Sequence, residues 1–382
     1  MTATRATHLT RERSTSLIDT GYPRGWRVKV VSCRPAWIRT SNRFTTLFSQ
    51  AVQQAGWEVR EFAWRPSAVF GSKVILLHWP DELFASKGVV ANVKAAFKLA
   101  TFRLAKHICG AKLVWVVHET APHDRGRKAP WVTNAFLRSL DGAIFLSQAS
   151  KVASEADLPA LKNIPALITR HGHYRIDMEK PPQPRRRPGK ALNLIYFGQI
   201  RPYKNLNGLI AAARRFQPGD VQVKIMGWSK DPHFTRTLQE EAKSAPAVTL
   251  DIRDELVPQP ELEAALDDSD GVVLPYRNIL NSGAALFALS RNRPVLAPRL
   301  GTLPELQDEI GQDWVDLYDG DIGGEDLNEF ATRLRRSNAD TADLSRYEWG
   351  PIGESIGGFF DELSTKAGKA RARQHQPEDM WR

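Results

Sequence analysis

The run Phe197-Gly198-Gln199-Ile200-Arg201-Pro202-Tyr203-Lys204 places a glycine and two cations directly after the apolar residues Leu192, Leu194, Ile195 and Tyr196, and ahead of an amphipathic stretch. In a buried strand that turns through glycine into a helix, backbone N–H groups and the positive helix end face an anion. Arg201 and Lys204 add two full charges beside that turn, which suits a diphosphate. A second turn of the same type follows: Gly271-Val272-Val273-Leu274-Pro275-Tyr276, a polar loop, then Asn281-Ser282-Gly283 opening a helix Ala284–Ser290. Two such turns in one half of the chain form a candidate nucleotide-diphosphate cradle.

Other candidates lie at strand ends. His118 closes the apolar strand Leu113–Val117 and is followed by Glu119, His123 and Asp124 in a Pro-containing loop. A histidine there can hold sugar hydroxyls or accept a proton, with Glu119 and Asp124 as rival bases. The plainer alternative is a strand-end histidine satisfied by backbone. His78, before Trp79 and Pro80, has the same placement, and His171 and His173 flank Gly172. Glu305 follows the strand around Ala297 and is read either as an acceptor for ribose or sugar hydroxyls or as a helix cap. Asp267-Asp268-Ser269-Asp270 has Asp-x-Asp spacing but runs straight into the strand Gly271–Leu274, so it is read as a solvated helix end, and no metal site is assigned.

The elements that must position these groups alternate regularly. Strands are expected at Arg27–Ser32, Glu58–Ala63, Lys73–His78, Lys112–His118, Gly142–Leu146 and Pro165–Arg170, with helices near Asn42–Ala55, Val89–Cys109, Pro130–Ser139 and Gln148–Ala156. After the Pro- and Arg-rich stretch 181–190, read as a linker, strands Leu192–Phe197, Gln222–Met226, Val248–Asp251, Gly271–Leu274 and Pro294–Ala297 alternate with helices near Leu206–Arg215, Phe234–Ser244, Glu261–Leu266, Ala284–Ser290 and Leu327–Arg335. Such alternation predicts α/β units with parallel sheets covered on both faces, whose ligands sit at the carboxyl ends of the strands. The expected division is a tail 1–25, a first Rossmann-like unit 26–180, the linker, a second unit 191–345, a terminal helix over 346–366 and a tail 367–382.

Composition narrows the class. At 382 residues the chain is long enough for two cores, and with 42% hydrophobic and 25% charged residues it is of globular type. No run approaches the roughly 20 apolar residues that cross a bilayer, and the start lacks the apolar region of a secretory signal, so a cytoplasmic protein is expected. Two cysteines, Cys33 and Cys109, leave no disulfide framework and no Cys-rich zinc site. The net charge of +10 falls partly in the tails and in Arg185-Arg186-Arg187, where it reads as solvation. Nucleic-acid binding is set aside, because no aromatic-rich basic strand set or recognition-helix pattern accompanies that charge.

Taken together, Phe-Gly-Gln-Ile-Arg-Pro-Tyr-Lys-Asn at 197–205, Leu-Pro-Tyr at 274–276, Asn-Ser-Gly-Ala at 281–284 and Arg-Pro-Val-Leu-Ala-Pro with Leu-Pro-Glu-Leu at 293–306 resemble the GT-B glycosyltransferases of the family 4 / family 1 superfamily. Leu-His-Trp-Pro-Asp at 77–81, Val-Trp-Val-Val-His-Glu-Thr-Ala-Pro-His-Asp at 114–124 and Arg-His-Gly-His-Tyr at 170–174 are similar to first-domain motifs of its bacterial members. The resemblance implies two Rossmann-like domains facing a cleft and no cofactor, the nucleotide sugar being a substrate. It also implies metal-independent hexosyl transfer from a GDP- or UDP-sugar to a lipid-linked or polysaccharide acceptor at the inner face of the plasma membrane. By motif, Gly198, Arg201, Lys204, Gly227, Trp228, Asn281, Ser282, Gly283 and Glu305 fall on the donor side, and Asn42, His78, His123, His171 and His173 on the acceptor side. His118, Glu119, Arg201 and Lys204 are the candidate catalytic groups. Two departures matter. Gln199 stands where an arginine is usual, leaving that role to Arg201, and the paired glutamates of retaining members are replaced by Ile279 and Phe287. Stereochemistry and donor base stay open, and a noncatalytic nucleotide-sugar or glycan-binding protein of the same fold is the rival reading.

The helix Val89–Cys109 carries an apolar stripe. Val90, Val93, Phe97, Ala100, Leu104 and Ile108 share one face at 100° per residue and are expected to pack on the sheet. That would leave Leu99 and Phe102 outside among Lys98, Arg103 and Lys106, either as an anionic-membrane patch or as two incidental apolar residues on a solvated helix.

Overall fold

The computed structural model describes residues 29–37, 43–80, 88–119, 130–185, 187–217 and 219–365. The first unit holds strands β1 (Val30–Arg34), β2 (Glu58–Glu61), β3 (Val74–Leu77), β4 (Lys112–Val117), β5 (Gly142–Phe145) and β6 (Ala166–Ile168). Its helices are α1 (Phe44–Gln54), α2 (Pro66–Phe70), α3 (Val89–Cys109), α4 (Pro130–Leu137) and α5 (Gln148–Asp157). The second holds β7 (Leu192–Gln199), β8 (Val221–Trp228), β9 (Val248–Arg253), β10 (Gly271–Val273), β11 (Val295–Pro298) and β12 (Val315–Tyr318). With these go α6 (Leu206–Ala213), α7 (Pro232–Ala242), α8 (Gln259–Asp267), α9 (Gly283–Ser290), α10 (Leu303–Ile310) and α11 (Gly324–Arg336), and the last helix is α12 (Trp349–Ser364).

Both sheets are six-stranded and parallel, ordered β2-β1-β3-β4-β5-β6 and β12-β11-β10-β7-β8-β9. Strands such as Val74–Leu77 and Gly142–Phe145 are buried at every position, because helices cover both faces. The second sheet reverses its order between β7 and β10. The carboxyl ends of those two strands therefore flank a crevice, the place where doubly wound sheets bind ligands. The expected α/β architecture of two Rossmann-like layers facing a cleft is what the chain forms.

The helix α12 follows the second sheet yet packs on α1 of the first. Ile352, Ile356 and Phe360 are fully buried, and glycines permit the close approach: a Cβ on Gly353 would lie 2.4 Å from the Ala51 carbonyl oxygen, and one on Gly142 would lie 2.7 Å from Leu363. Lys29 pairs with Asp361 at 2.7 Å on the rim of this contact.

Three expectations are corrected. The helix α3 turns its other stripe inward. Phe102 is fully buried and Leu99 nearly so, with Phe102 against the rings of Phe62 and Trp64, while Phe97, Val93 and Ile108 are 71%, 63% and 68% exposed. Both stripes have helical period, so spacing alone cannot choose between them. The small residues Ala95 and Ala105 are buried on the inner face beside Leu99 and Phe102 and let the helix approach the sheet. Lys106 is held by the Ser139 carbonyl at 2.7 Å and by Asp141 at 2.9 Å, so the patch centred on Phe102 does not exist.

The Asp267–Asp270 segment is not a solvated end. Asp267 accepts from the buried Arg291, Nε–Oδ1 3.0 Å, and Asp270 accepts from the Asn193 N–H at 2.8 Å, so both carboxylates serve packing. Arg185, counted as solvated linker charge, is buried with its guanidinium on the Leu334 carbonyl and its N–H on the Asp340 carbonyl at 2.8 Å.

Candidate functional site

The β7 end forms the floor of the crevice. Gly198 has φ +122°, a conformation that only glycine adopts without strain, and the Gly198 carbonyl would lie 2.0 Å from a Cβ on Gly227 of β8. The absence of a Cβ at Gly227 thus admits the turn. The Gln199 amide oxygen accepts from Arg201 Nη2 and Nε at 3.0 and 3.1 Å in the amide orientation that satisfies both groups. The glutamine standing in the arginine position therefore orients the neighbouring arginine.

Lys204 ends the short 3-10 turn Pro202–Lys204. Its ammonium lies 3.9 Å from the ring centroid of Tyr276, which follows β10, and 5.0 Å from that of Tyr203. Burial pushes the lysine down to about 8, and the negative charge of Glu119, on the first unit, works against that shift. An aromatic face attracts the cation but cannot neutralise it, so the ammonium is held ready for an anion. Trp228, beside this turn at the end of β8, has the Lys230 ammonium 5.7 Å from its ring.

At the second turn Ser282 caps α9, its hydroxyl oxygen accepting from the Ala285 N–H at 3.2 Å. Asn281 reaches across to the first unit and donates to the His118 carbonyl at 3.0 Å. A Cβ on Gly283 would meet the Tyr174 hydroxyl at 3.1 Å and His171 Nε2 at 3.4 Å. Glu305, in the first turn of α10, is occupied with the first unit: it accepts from the Gln148 and Ala149 N–H groups at 3.3 and 3.0 Å and so closes the N-terminus of α5. Beside it Arg170 grips Glu309, Nη2–Oε1 2.5 Å, and the Tyr347 hydroxyl donates to the same carboxylate. The cavity left here, lined by Arg170, His171, Ser282 and Glu305 among others, holds about 30 Å³, room for one water.

The histidines gather around Phe44, whose ring centroid lies 4.3 Å from that of His171, 5.2 Å from His118 and 5.9 Å from His78. Burial pushes His78 down to about 3 and His171 to about 4; His118 is also well below the ordinary imidazole value, through burial and then through its two histidine neighbours. All three are neutral at pH 7. His78 Nδ1 and His118 Nε2 are 3.0 Å apart, and His78 Nε2 is buried without a hydrogen-bond partner. The arrangement that leaves no buried N–H unpaired has His78 Nδ1–H donating to His118 Nε2, with the proton of His118 on Nδ1. Trp79 stacks on His118 at 4.7 Å. His173 is structural in its contacts: Nδ1 accepts from the Arg175 N–H at 3.1 Å, Nε2 lies 3.0 Å from Glu348, and the carbonyl accepts from the Trp349 indole at 2.7 Å.

Lys204 and Glu119 thus face each other across one cleft, Asn281 meets His118 there, and Arg201 lies three residues before Lys204 on the same turn, with His78 and His171 behind, whereas His173 faces away into packing. Asn42, His123 and Asp124 lie outside the described residues. Sequence reasoning did not assign Tyr276 as the cover of Lys204, nor Arg170–Glu309 as a clamp between units; both depend on partners distant in the chain. Among the described residues no group of three or more His, Cys, Asp or Glu side chains is arranged to hold a metal ion.

No family model matches the chain. It is 31% identical over 318 residues, 82% of its own length and 86% of the relative's, to the GDP-mannose:glycolipid 4-beta-D-mannosyltransferase of Xanthomonas campestris pv. campestris, and 30% identical over the same length to a second protein of that name. Among solved structures, Anabaena HepE, crystallised with UDP-glucose, superposes with a TM-score of 0.56 at 12% identity, covering 91% of this chain and 100% of that one. A glycosyltransferase from Rickettsia africae gives 0.57 at 9% identity, covering 89% of this chain and 99% of that one. At such identities these two speak for the fold alone, while the curated relatives speak for descent: the chain belongs to the glycosyltransferase family of the two Xanthomonas proteins and carries the GT-B fold of enzymes that transfer sugars from nucleotide donors.

Proposed function

We propose that the chain transfers a mannosyl group from GDP-mannose to the 4-hydroxyl of a sugar on a glycolipid, forming a β-linkage, in bacterial cell-surface or exopolysaccharide synthesis at the inner face of the plasma membrane. The observation that carries this reading is the 31% identity spread over 82% of the chain, which spans both units and therefore both walls of the cleft. The proposal also assigns the chain to the Ser-Gly variants of the family 4 / family 1 superfamily. In support, Asn281-Ser282-Gly283 heads α9, and Phe287, at a position of the retaining glutamate pair, packs against Tyr174 and Phe197 at 5.4 and 5.8 Å instead of presenting a carboxylate.

A β product from an α-linked donor requires inversion. The acceptor oxygen attacks C1, the C1–O bond to GDP breaks with its electron pair, and a base takes the acceptor proton. Arg201, Lys204 and the first N–H groups of α9 are suited to stabilise the charge on the departing diphosphate without a divalent ion. His118 is neutral and its Nε2 is occupied by His78, which favours the exposed Glu119 over His118 as the base, with Asp124 outside the described residues. The Glu305 cap on α5 and the Asn281 bond to the His118 carbonyl tie the two units together beside the crevice.

A thermal-shift screen tests the donor assignment. GDP is expected to raise the melting temperature by several degrees at a concentration of about 100 Kd, where linkage contributes roughly 2.7 kcal/mol, and UDP and ADP are expected to do markedly less. An equal or larger shift with UDP would refute the guanine assignment.

A further inference from the structure

Six of the twelve large hydrophobic side chains that are exposed among the described residues lie on α3: Val89, Val90, Val93, Phe97, Leu104 and Ile108. Five of them, from Val90 to Ile108, form one continuous stripe of roughly 27 Å at 1.5 Å per residue. Leaving such a stripe in water is costly, and a continuous patch of this kind marks an interaction surface. Lys94 and Lys98 run along one border and Arg103 and His107 along the other, and α2, α3 and α4 contain no Asp or Glu at all. Trp64, beside Lys98, and Trp131 of α4 are partly exposed in the same helical layer.

We propose that this outer stripe of α3 seats the protein on an anionic phospholipid leaflet, with Phe97 and Leu104 in the acyl boundary and Lys94, Lys98 and Arg103 at the headgroups. The charge pattern selects this occupant. An apolar protein groove would need no cation borders, and pairing two copies through α3 would bring like charges together, whereas a lipid surface takes up the apolar stripe and the positive borders at once. No helix among the described residues is long and apolar enough to cross a membrane, so the contact is with the surface. The inference deepens the membrane placement in the functional reading by giving it a surface, but its test uses neither donor nor acceptor, so the two can fail separately.

Flotation of the full chain with vesicles of phosphatidylcholine and phosphatidylglycerol tests it. The wild type is expected to float, less so in high salt and with pure phosphatidylcholine. The double variant Phe97→Ser/Leu104→Ser is expected to lose at least about a hundredfold in partitioning, since each buried side chain of this size contributes about 1.5–3 kcal/mol, with an unchanged melting temperature because both residues are exposed. The double variant Lys94→Gln/Arg103→Gln is expected to lose about 25-fold and most of the salt dependence, at about fivefold per cation. Equal flotation of wild type and the serine variant, or no flotation of the wild type, would overturn the proposal. So would wild-type dimers in sedimentation that Phe97→Ser renders monomeric.

Discussion

Lys204→Ala and Arg201→Ala are each expected to lower turnover by roughly tenfold to a thousandfold, as when a charge-assisted contact to a leaving diphosphate is removed. The Lys204 ammonium is half-buried over Tyr276 without its anion, so part of its desolvation cost has been met before the donor arrives. With the lysine at about 8, the protonated fraction falls as pH rises through that value. kcat/KM should therefore drop about tenfold per pH unit above it, and this alkaline limb should vanish in Lys204→Ala. The same shift has an opposite sign for stability. The folded chain holds this proton less tightly than the unfolded one, whose lysine titrates near the ordinary value, so the stability penalty is full below about 8 and is relieved as pH climbs from there towards the unfolded pKa. Near-normal turnover in both single variants and in the double variant would show that the β7 turn does not hold the diphosphate.

Glu119→Gln is expected to reduce transfer by roughly a hundredfold to ten-thousandfold, the range for loss of a general base, with little change in donor affinity. Release of GDP to water, which needs no acceptor hydroxyl, should fall far less. A second signature separates this role from simple structural damage. Because the Glu119 charge opposes the downward shift of Lys204, its removal should move the alkaline limb to lower pH. Full transfer by Glu119→Gln would remove this residue as the base and return attention to His118.

The fold was legible where local chemistry decides it. Parallel strands covered on both faces read as apolar runs, so ten of the twelve strands are placed within two residues at each end. Of the other two, the expected strand Arg27–Ser32 begins outside the described residues and β1 runs over Val30–Arg34, and β12 was not expected. Its sequence, Val-Asp-Leu-Tyr, carries a buried Asp316 that is tolerable only because Arg333 of α11 reaches it at 2.8 Å. The inward face of α3 was misread because both stripes have the same period and only the opposing sheet distinguishes them. The same divide runs through the site. Gly198, Arg201 and Lys204 are neighbours in sequence, and their convergence follows from one strand-to-helix turn. The Tyr276 ring over Lys204, the Asn281 bond to His118 and the Glu305 cap on α5 join segments that no spacing rule connects.

Transfer of labelled mannose from GDP-mannose to a glycolipid extract, with EDTA present and with linkage analysis of the product, reads donor, acceptor and stereochemistry in one assay. The expected result is a β-mannosyl unit on the 4-position, one GDP released per mannose transferred, and an undiminished rate in EDTA. An α-linked product, transfer from a UDP-sugar but not from GDP-mannose, or loss of turnover in EDTA with recovery on adding Mg²⁺ or Mn²⁺ would contradict it.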